Sequence, residues 1–114
     1  METIDGNVLR GHLEALILAV LECDSAHGFE IMKRLDEEGR GALALKEGTI
    51  YPILYRLEKD GNVRAAWDAD TSTSLGPRRR VYHITPRGRR ELAERRERWG
   101  HFVATVGRMI EAPQ

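Results

Sequence analysis

The sequence has few aromatic residues, a single cysteine, no long hydrophobic run and no net charge. Aromatic residues make up 6% of the 114 residues and apolar residues 41%, which predicts one small domain with an aliphatic core. Because Cys23 is the only cysteine, an internal disulfide is excluded, and its apolar neighbours predict a buried thiol. The longest apolar run, Ala15 to Leu21, is far shorter than the roughly 20 residues that a membrane span requires.

Signals for secretion, catalysis and metal binding are also missing. Residues 1–7 contain no basic residue, so a signal peptide is not expected and we predict a cytoplasmic protein. The four histidines are scattered, without a carboxylate or nucleophile at a fixed spacing. Cys23 and His27 are spaced like two metal ligands, but no second pair follows, and there is no Gly-rich phosphate loop. We therefore expect no enzyme, cofactor or metal site.

The zero net charge conceals an uneven distribution along the chain. Residues 1–45 contain four basic and nine acidic side chains, which gives a charge of −5, whereas residues 46–114 contain 14 basic and nine acidic side chains, which gives +5. Since DNA affinity depends on the local potential where the phosphates lie, a neutral total is compatible with one basic face. The alternative is that these are solvated charges on helix surfaces.

Apolar residues recur with helical spacing in three successive segments. The first predicted helix runs from Val8 to Leu21 and is followed by a turn over residues 24–28. The second is marked by apolar residues from Phe29 to Leu35 and ends near Gly39. Both helices are amphipathic, which is typical of elements that pack around one core.

The third helix lies in the segment Gly48 to Gly61, which reads GTIYPILYRLEKDG. Its apolar positions fall on one face, and Asp60-Gly61 marks its end. Pro52 has no amide hydrogen, so either the helix begins shortly before it, with Thr49 as the cap, or its first turn is distorted. The sequence leaves both alternatives open.

After the third helix the apolar period becomes alternating, which predicts a hairpin. Its strands include Val63 to Trp67 and Val81 to Ile84, joined by a polar loop over Asp68 to Pro77. Thr85 then caps a fourth helix, with Pro86 in the first helical position, where a missing amide hydrogen costs nothing.

The fourth helix carries an apolar stripe whose members step by sevens, threes and fours. The stripe predicts a homodimer interface built from Leu92, Trp99, Phe102, Val103, Val106 and Met109. We therefore expect a mainly α fold with a small β-hairpin: a winged helix-turn-helix over residues 1–85 and a C-terminal dimerisation helix over residues 86–114, together one structural unit. In the alternative, the stripe folds back on the core of its own chain.

The third helix and the hairpin, or wing, offer two surfaces to one ligand, for which duplex DNA is best suited. The second helix of a helix-turn-helix enters the major groove, and basic residues around it contact phosphates. Thr and Tyr suit base edges, and Arg suits phosphates or a narrow minor groove. The predicted DNA-contacting residues are Lys46, Thr49, Tyr51, Tyr55, Arg56 and Lys59 on the helix and Arg78, Arg79 and Arg80 on the wing. Alternatively, the arginines only keep a loop solvated.

The segment GTIYPILYRLEKDG, followed by RRRVYHITPRGRREL, closely resembles the PadR family of transcriptional regulators. The segments HLEALILAVL and HGFEIMKRL resemble its first two helices, and the short fourth helix resembles that of its compact subgroup. The resemblance implies a dimeric winged-helix DNA-binding protein, usually a repressor, that releases its operator when a small molecule binds or the dimer rearranges. It implies that Tyr51 and the wing arginines face DNA. The chain departs from the family pattern at Lys46-Glu47, where a Ser-Pro or similar cap often precedes the Gly-Thr pair.

Drug-binding members of the compact subgroup are similar in placing a tryptophan at the position of Trp99, facing its symmetry mate. The resemblance therefore implies a small aromatic effector that stacks between the two rings. Plain packing of Trp99 at the interface is the alternative. A function of a different class is also open, a helical dimer that serves as a protein-interaction adaptor without DNA binding.

Overall fold

The computed structural model of the chain describes residues 2–68 and 79–112. The elements in chain order are α1 (Gly6–Leu9), α2 (Leu13–Cys23), β1 (Ala26–His27), α3 (Gly28–Glu38), α4 (Glu47–Lys59), β2 (Val63–Trp67), β3 (Arg80–Ile84) and α5 (Pro86–Glu111). The strands form one antiparallel sheet in the order β1-β3-β2. This architecture confirms the predicted fold class, a mainly helical winged helix with a small sheet. Within the described part, no helix is both long and apolar enough to cross a bilayer.

The first predicted helix is in fact two helices. Gly11 adopts a φ of +89°, a left-handed conformation that glycine tolerates and that ends α1 before α2 begins. Cys23 is exposed, which corrects the prediction of a buried thiol. It lies about 200° around the helix from the buried Leu21, so the apolar neighbours face the core and the thiol does not.

The core lies where α2, α3 and α4 meet, and it is aliphatic, as the composition predicts. Its fully buried members include Ile17, Leu18, Ile31, Ile50, Leu54 and Leu57. Helix α3 begins at Gly28, with the Nδ1 atom of His27 accepting a hydrogen bond from the Glu30 amide at 3.2 Å. Phe29 is one of the apolar residues from which this helix is predicted, but it is 64% exposed.

Helix α4 begins at Glu47, five residues before Pro52, with Lys46 as its N-cap, so of the two alternatives the one in which Thr49 caps the helix does not hold. The backbone oxygen of Lys46 already accepts from the amides of Thr49 and Ile50, at 2.9 and 3.1 Å, which closes the first turn. The C-terminal end is as predicted, with Asp60 as cap.

The predicted hairpin is confirmed, with Val63 opposite Ile84 and Trp67 opposite Arg80. The predicted turn over residues 24–28 contains the short strand β1, which adds a third strand to the sheet. Its two residues are too few to show an alternating pattern.

Thr85 caps α5 as predicted. Its Oγ1 accepts from the Gly88 amide at 3.0 Å and donates to the Gly61 carbonyl at 2.7 Å, which ties the helix to the end of α4. Leu92, in the second turn, is 2% exposed and belongs to the core of its own chain. This corrects its prediction as an interface residue, because a side chain that is buried within its own chain offers no surface to a second subunit. The division into a DNA-binding domain over residues 1–85 and a dimerisation helix over residues 86–114 stays a prediction.

Candidate nucleic-acid interface

Helix α4 is oriented by its buried face, which leaves a polar and aromatic face in solvent. Ile50 and Leu54 are 0% exposed, whereas Tyr51 and Tyr55 are 42% and 69% exposed. Their phenol rings therefore lie on the side of the helix away from the core. A ligand can therefore reach this face at Tyr51 and Tyr55.

Three other predicted polar residues lie on α4 or directly before it. Lys46, Thr49 and Lys59 are all exposed. Within the described ranges, neither lysine has an ion-pair partner. Both ammonium groups therefore remain available to phosphates.

Arg56 is engaged elsewhere. Its Nε atom lies 3.1 Å from Glu14 Oε1 on α2, and the other carboxylate oxygen of Glu14 lies 2.6 Å from Arg95 Nη2 on α5. The structure thus directs Arg56 towards the helix that supports α4. Glu14 lies 42 residues before Arg56, so the periodicity of α4 gives no sign of it and sequence reasoning missed this pair.

The wing arginines lie at the loop end of the hairpin, where Arg80 pairs with Trp67 as the last rung of the ladder. Arg79 Nη1 lies 3.2 Å from His27 Nε2, and Arg80 Nη2 lies 2.9 Å from Glu58 Oε2 on α4. The Arg80 guanidinium also lies 5.9 Å from the ring centroid of Trp67. Arg78, the third predicted wing contact, lies outside the described residues.

A cleft of about 500 Å³ lies between the start of α3, the middle of α4 and the wing. It brings together three predicted residues, Tyr51, Arg79 and Arg80. It also contains Phe29 and Trp67, which sequence reasoning did not assign to the site. The sequence does contain one sign that Phe29 faces outwards. Residues two apart on a helix point to different sides, so Phe29 and Ile31 cannot both face the core.

Burial shifts two ionisable groups in the sheet behind the cleft. It raises the pKa of Tyr82, and the nearby Arg80 opposes this shift. Burial also lowers the pKa of His83, with a further contribution from the positive charge of Arg64. The His83 Nδ1 atom lies 2.6 Å from Ser25 Oγ. Both shifts favour the neutral forms of these groups.

A second surface lies on α5 beyond Leu92. Five large apolar residues are between 45% and 77% exposed, and they are Trp99, Phe102, Val103, Met109 and Ile110. Trp99 stacks on Phe102 with ring centroids 5.9 Å apart, and it meets the edge of His12 at 5.3 Å. Val106, also predicted for this stripe, is half-buried.

The chain is similar to known proteins both in sequence and in structure. Residues 17–94 match the sequence model of the transcriptional regulator PadR-like family. A transcriptional regulator structure from Clostridium thermocellum superimposes with a TM-score of 0.82 at 28% identity, covering 93% of this chain and 97% of that one. The PadR-like regulator structure from Bacillus cereus gives 0.80 at 32% identity, covering 95% and 100%. A transcriptional regulator from Mycobacterium tuberculosis is 36% identical over 73 residues, covering 64% of this chain and 62% of that protein.

Proposed function

The chain belongs to the PadR-like family of transcriptional regulators, and on this premise we propose that it is a cytoplasmic repressor that binds a palindromic operator as a homodimer. We also propose that a small planar aromatic molecule between two α5 helices releases the operator. One observation carries the proposal: an exposed polar face on α4, beside the wing, occurs together with an exposed apolar stripe on α5.

The second half of α5 supports the homodimer. The chain has a radius of gyration of 16.2 Å and a longest extent of 64 Å, against a radius of about 13 Å for a compact domain of this size. The projecting stripe is apolar, and water is a poor environment for so large a contiguous surface. A two-fold axis would bury the stripe against its own copy, since an isologous interface uses the same patch on both subunits.

The DNA-contacting residues that we assign on α4 are Lys46, Thr49, Tyr51, Tyr55 and Lys59, and those on the wing are Arg78, Arg79 and Arg80. Arg80 exchanges its carboxylate partner Glu58 for a phosphate, because a guanidinium pairs with either group in the same forked geometry. Arg56 is not included in this set, because its carboxylate partner Glu14 also pairs with Arg95 and so joins α4 to α2 and α5.

A two-fold dimer presents two copies of α4 and therefore favours an operator with two-fold symmetry. Half-sites are expected one helical turn apart or at a multiple of it. Repression follows if the operator overlaps a promoter, because the bound dimer then occupies the site that the polymerase needs. A promoter–reporter fusion that becomes more active when the protein is removed would support this role, and one that becomes less active would contradict it.

The proposed effector site is the pair of Trp99 rings across the dimer axis. Each ring is 53% exposed and already stacked on Phe102, so an aromatic surface is available to a planar ligand. The experiment is titration of a planar dye such as a Hoechst compound against the Trp67→Phe variant, in which Trp99 is the remaining tryptophan. Quenching of its fluorescence together with release of DNA is expected. An unchanged spectrum at saturating dye contradicts the effector proposal.

The test of DNA recognition begins with pull-down of genomic fragments, starting with DNA upstream of the gene itself. The enriched sequence is then titrated at several salt concentrations, and log affinity should fall against log salt with a slope of about −0.9 per neutralised phosphate. Alanine substituted singly at Arg78, Arg79 or Arg80 should flatten this slope, whereas Arg108→Ala, on the side of α5 opposite the stripe, removes the same single charge and should leave the slope unchanged. A protein-interaction adaptor would give neither an enriched palindrome nor a salt slope.

A further inference from the structure

One close approach connects α3 to the DNA-facing side of α4. A methyl group added at Gly28 would lie 2.5 Å from the Tyr51 Oη atom and 2.7 Å from two carbons of its ring. Real side chains do not approach so closely, so the phenol ring lies directly on the backbone of Gly28. The absence of a side chain at Gly28 is therefore what leaves room for the Tyr51 ring at its present position.

The backbone at Gly28 is fixed from both sides. The preceding residues Ala26 and His27 pair with β3, and the His27 ring caps the helix that Gly28 begins. Gly28 itself is buried. Because the backbone cannot retreat, a larger residue at this position would displace the ring of Tyr51, which is the mobile partner of the contact.

Gly28 and Tyr51 both line the cleft that Arg79 and Arg80 also line. The direction in which the Tyr51 hydroxyl points relative to these guanidiniums is thus set by the space above Gly28. The spacing of apolar residues in the sequence does not indicate this contact, since Gly28 and Tyr51 lie in different helices.

We propose that Gly28 is a positioning residue for DNA recognition, which holds the Tyr51 ring in the orientation that meets the operator and keeps the cleft beside the wing open. This inference rests on the proposed DNA contact of Tyr51. Gly28 does not touch DNA itself and acts only through the ring.

The test is a double-mutant cycle in the full-length protein, measuring affinity for the enriched operator fragment by fluorescence anisotropy. We expect Gly28→Ala to weaken binding by about tenfold, or about 1.4 kcal/mol, and Tyr51→Ala to weaken it at least as much. Adding Gly28→Ala to Tyr51→Ala should cause no further loss, because the displaced ring is then absent. Gly6→Ala is the matched control, since Gly6 also begins a helix but has no atom within 4 Å of an added methyl group.

A second readout does not require DNA. With ring-labelled tyrosine, Gly28→Ala should shift the NMR signals of Tyr51 and leave those of Tyr55 in place, whereas Gly6→Ala should shift neither. If Gly28→Ala destabilises the fold, Tyr51→Ala should restore its thermal midpoint, because it removes the contacting ring. Equal losses of affinity from Gly28→Ala in both backgrounds, or unmoved Tyr51 signals, would overturn the inference and leave the proposed function intact. A Tyr51→Ala variant with full affinity, in a protein that still binds its operator, would overturn the Tyr51 contact and the inference together.

Discussion

The two halves of α5 present the same face to different surroundings. Leu92, in the first half, is 2% exposed, whereas Trp99, two helical turns later on the same face, is 53% exposed. The first half packs on α2, and the pairing of Arg96 with Glu22 at 2.7 and 3.0 Å adds a bidentate contact to it. The second half extends past the end of the core.

This difference shows that a regular apolar stripe in a sequence need not be one functional unit. The stripe is continuous in chemistry, but the chain's own core covers only its beginning. The first half therefore determines where the helix leaves the domain, and in the proposed dimer the second half determines how far apart two copies of α4 stand. Substitutions in the first half should consequently change the stability of the single chain, whereas those in the second half should change the association of two chains.

The largest effect is expected at Leu92. Leu92→Ala should lower the free energy of unfolding by about 2–5 kcal/mol, because it leaves a cavity in the core. Urea denaturation should show the same loss at every protein concentration. A loss that disappears on dilution would mean that Leu92 contributes to association after all.

The opposite signature is expected at Phe102. Phe102→Asp should weaken the proposed dimer by about 2 kcal/mol per copy, as for a central interface aromatic, and leave the secondary structure of the separate chain intact. Sedimentation equilibrium measures the shift towards monomer. Ala104→Asp, on the other side of the helix, introduces the same charge and should leave association unchanged; equal effects from both variants would contradict the stripe as the interface.

A smaller effect is expected where α5 begins. Thr85→Ala removes a helix cap and the hydrogen bond to the Gly61 carbonyl, which should cost about 1–2 kcal/mol of stability. Thermal denaturation of this variant should be compared with that of Thr85→Ser, which keeps the hydroxyl and should retain most of the stability. A serine variant as unstable as the alanine variant would show that the methyl group, and not the cap, matters.

The smallest effect is expected at the exposed pair of Glu22 and Arg96, and it depends on pH. The hydrogen bond from Arg96, assisted by its charge, lowers the pKa of the Glu22 carboxyl below its ordinary value of 4.5. Its contribution to stability is present above that value and is lost as the pH falls through the lowered pKa of the folded state. Glu22→Gln should therefore make the acid dependence of the urea midpoint shallower, while Glu94→Gln, which has no ion pair within the described residues, should not.

Much of the fold follows from local sequence patterns. The spacing of apolar residues predicts α4, and the change to alternation after Gly61 predicts the hairpin. The Thr85-Pro86 pair predicts the start of α5. These features depend on neighbours in the chain, which is why they can be predicted without tertiary information.

The features that sequence reasoning missed depend on distant contacts. Strand β1 is defined only by its pairing with β3, and the direction of Arg56 only by Glu14 on another helix. Leu92 matches the rest of its stripe in the sequence, and only the position of the core distinguishes it. The wing arginines could be predicted as a basic cluster, but their contacts with His27 and Glu58 could not.

The central claim is that α5 pairs two chains so that two copies of α4 meet one operator. Sedimentation equilibrium of the protein with the enriched palindromic fragment tests it most directly, because it counts chains per DNA. Two chains per palindrome are expected for the unmodified protein, and for Phe102→Asp either one chain or no complex. A single chain bound with full affinity by the unmodified protein would contradict the account.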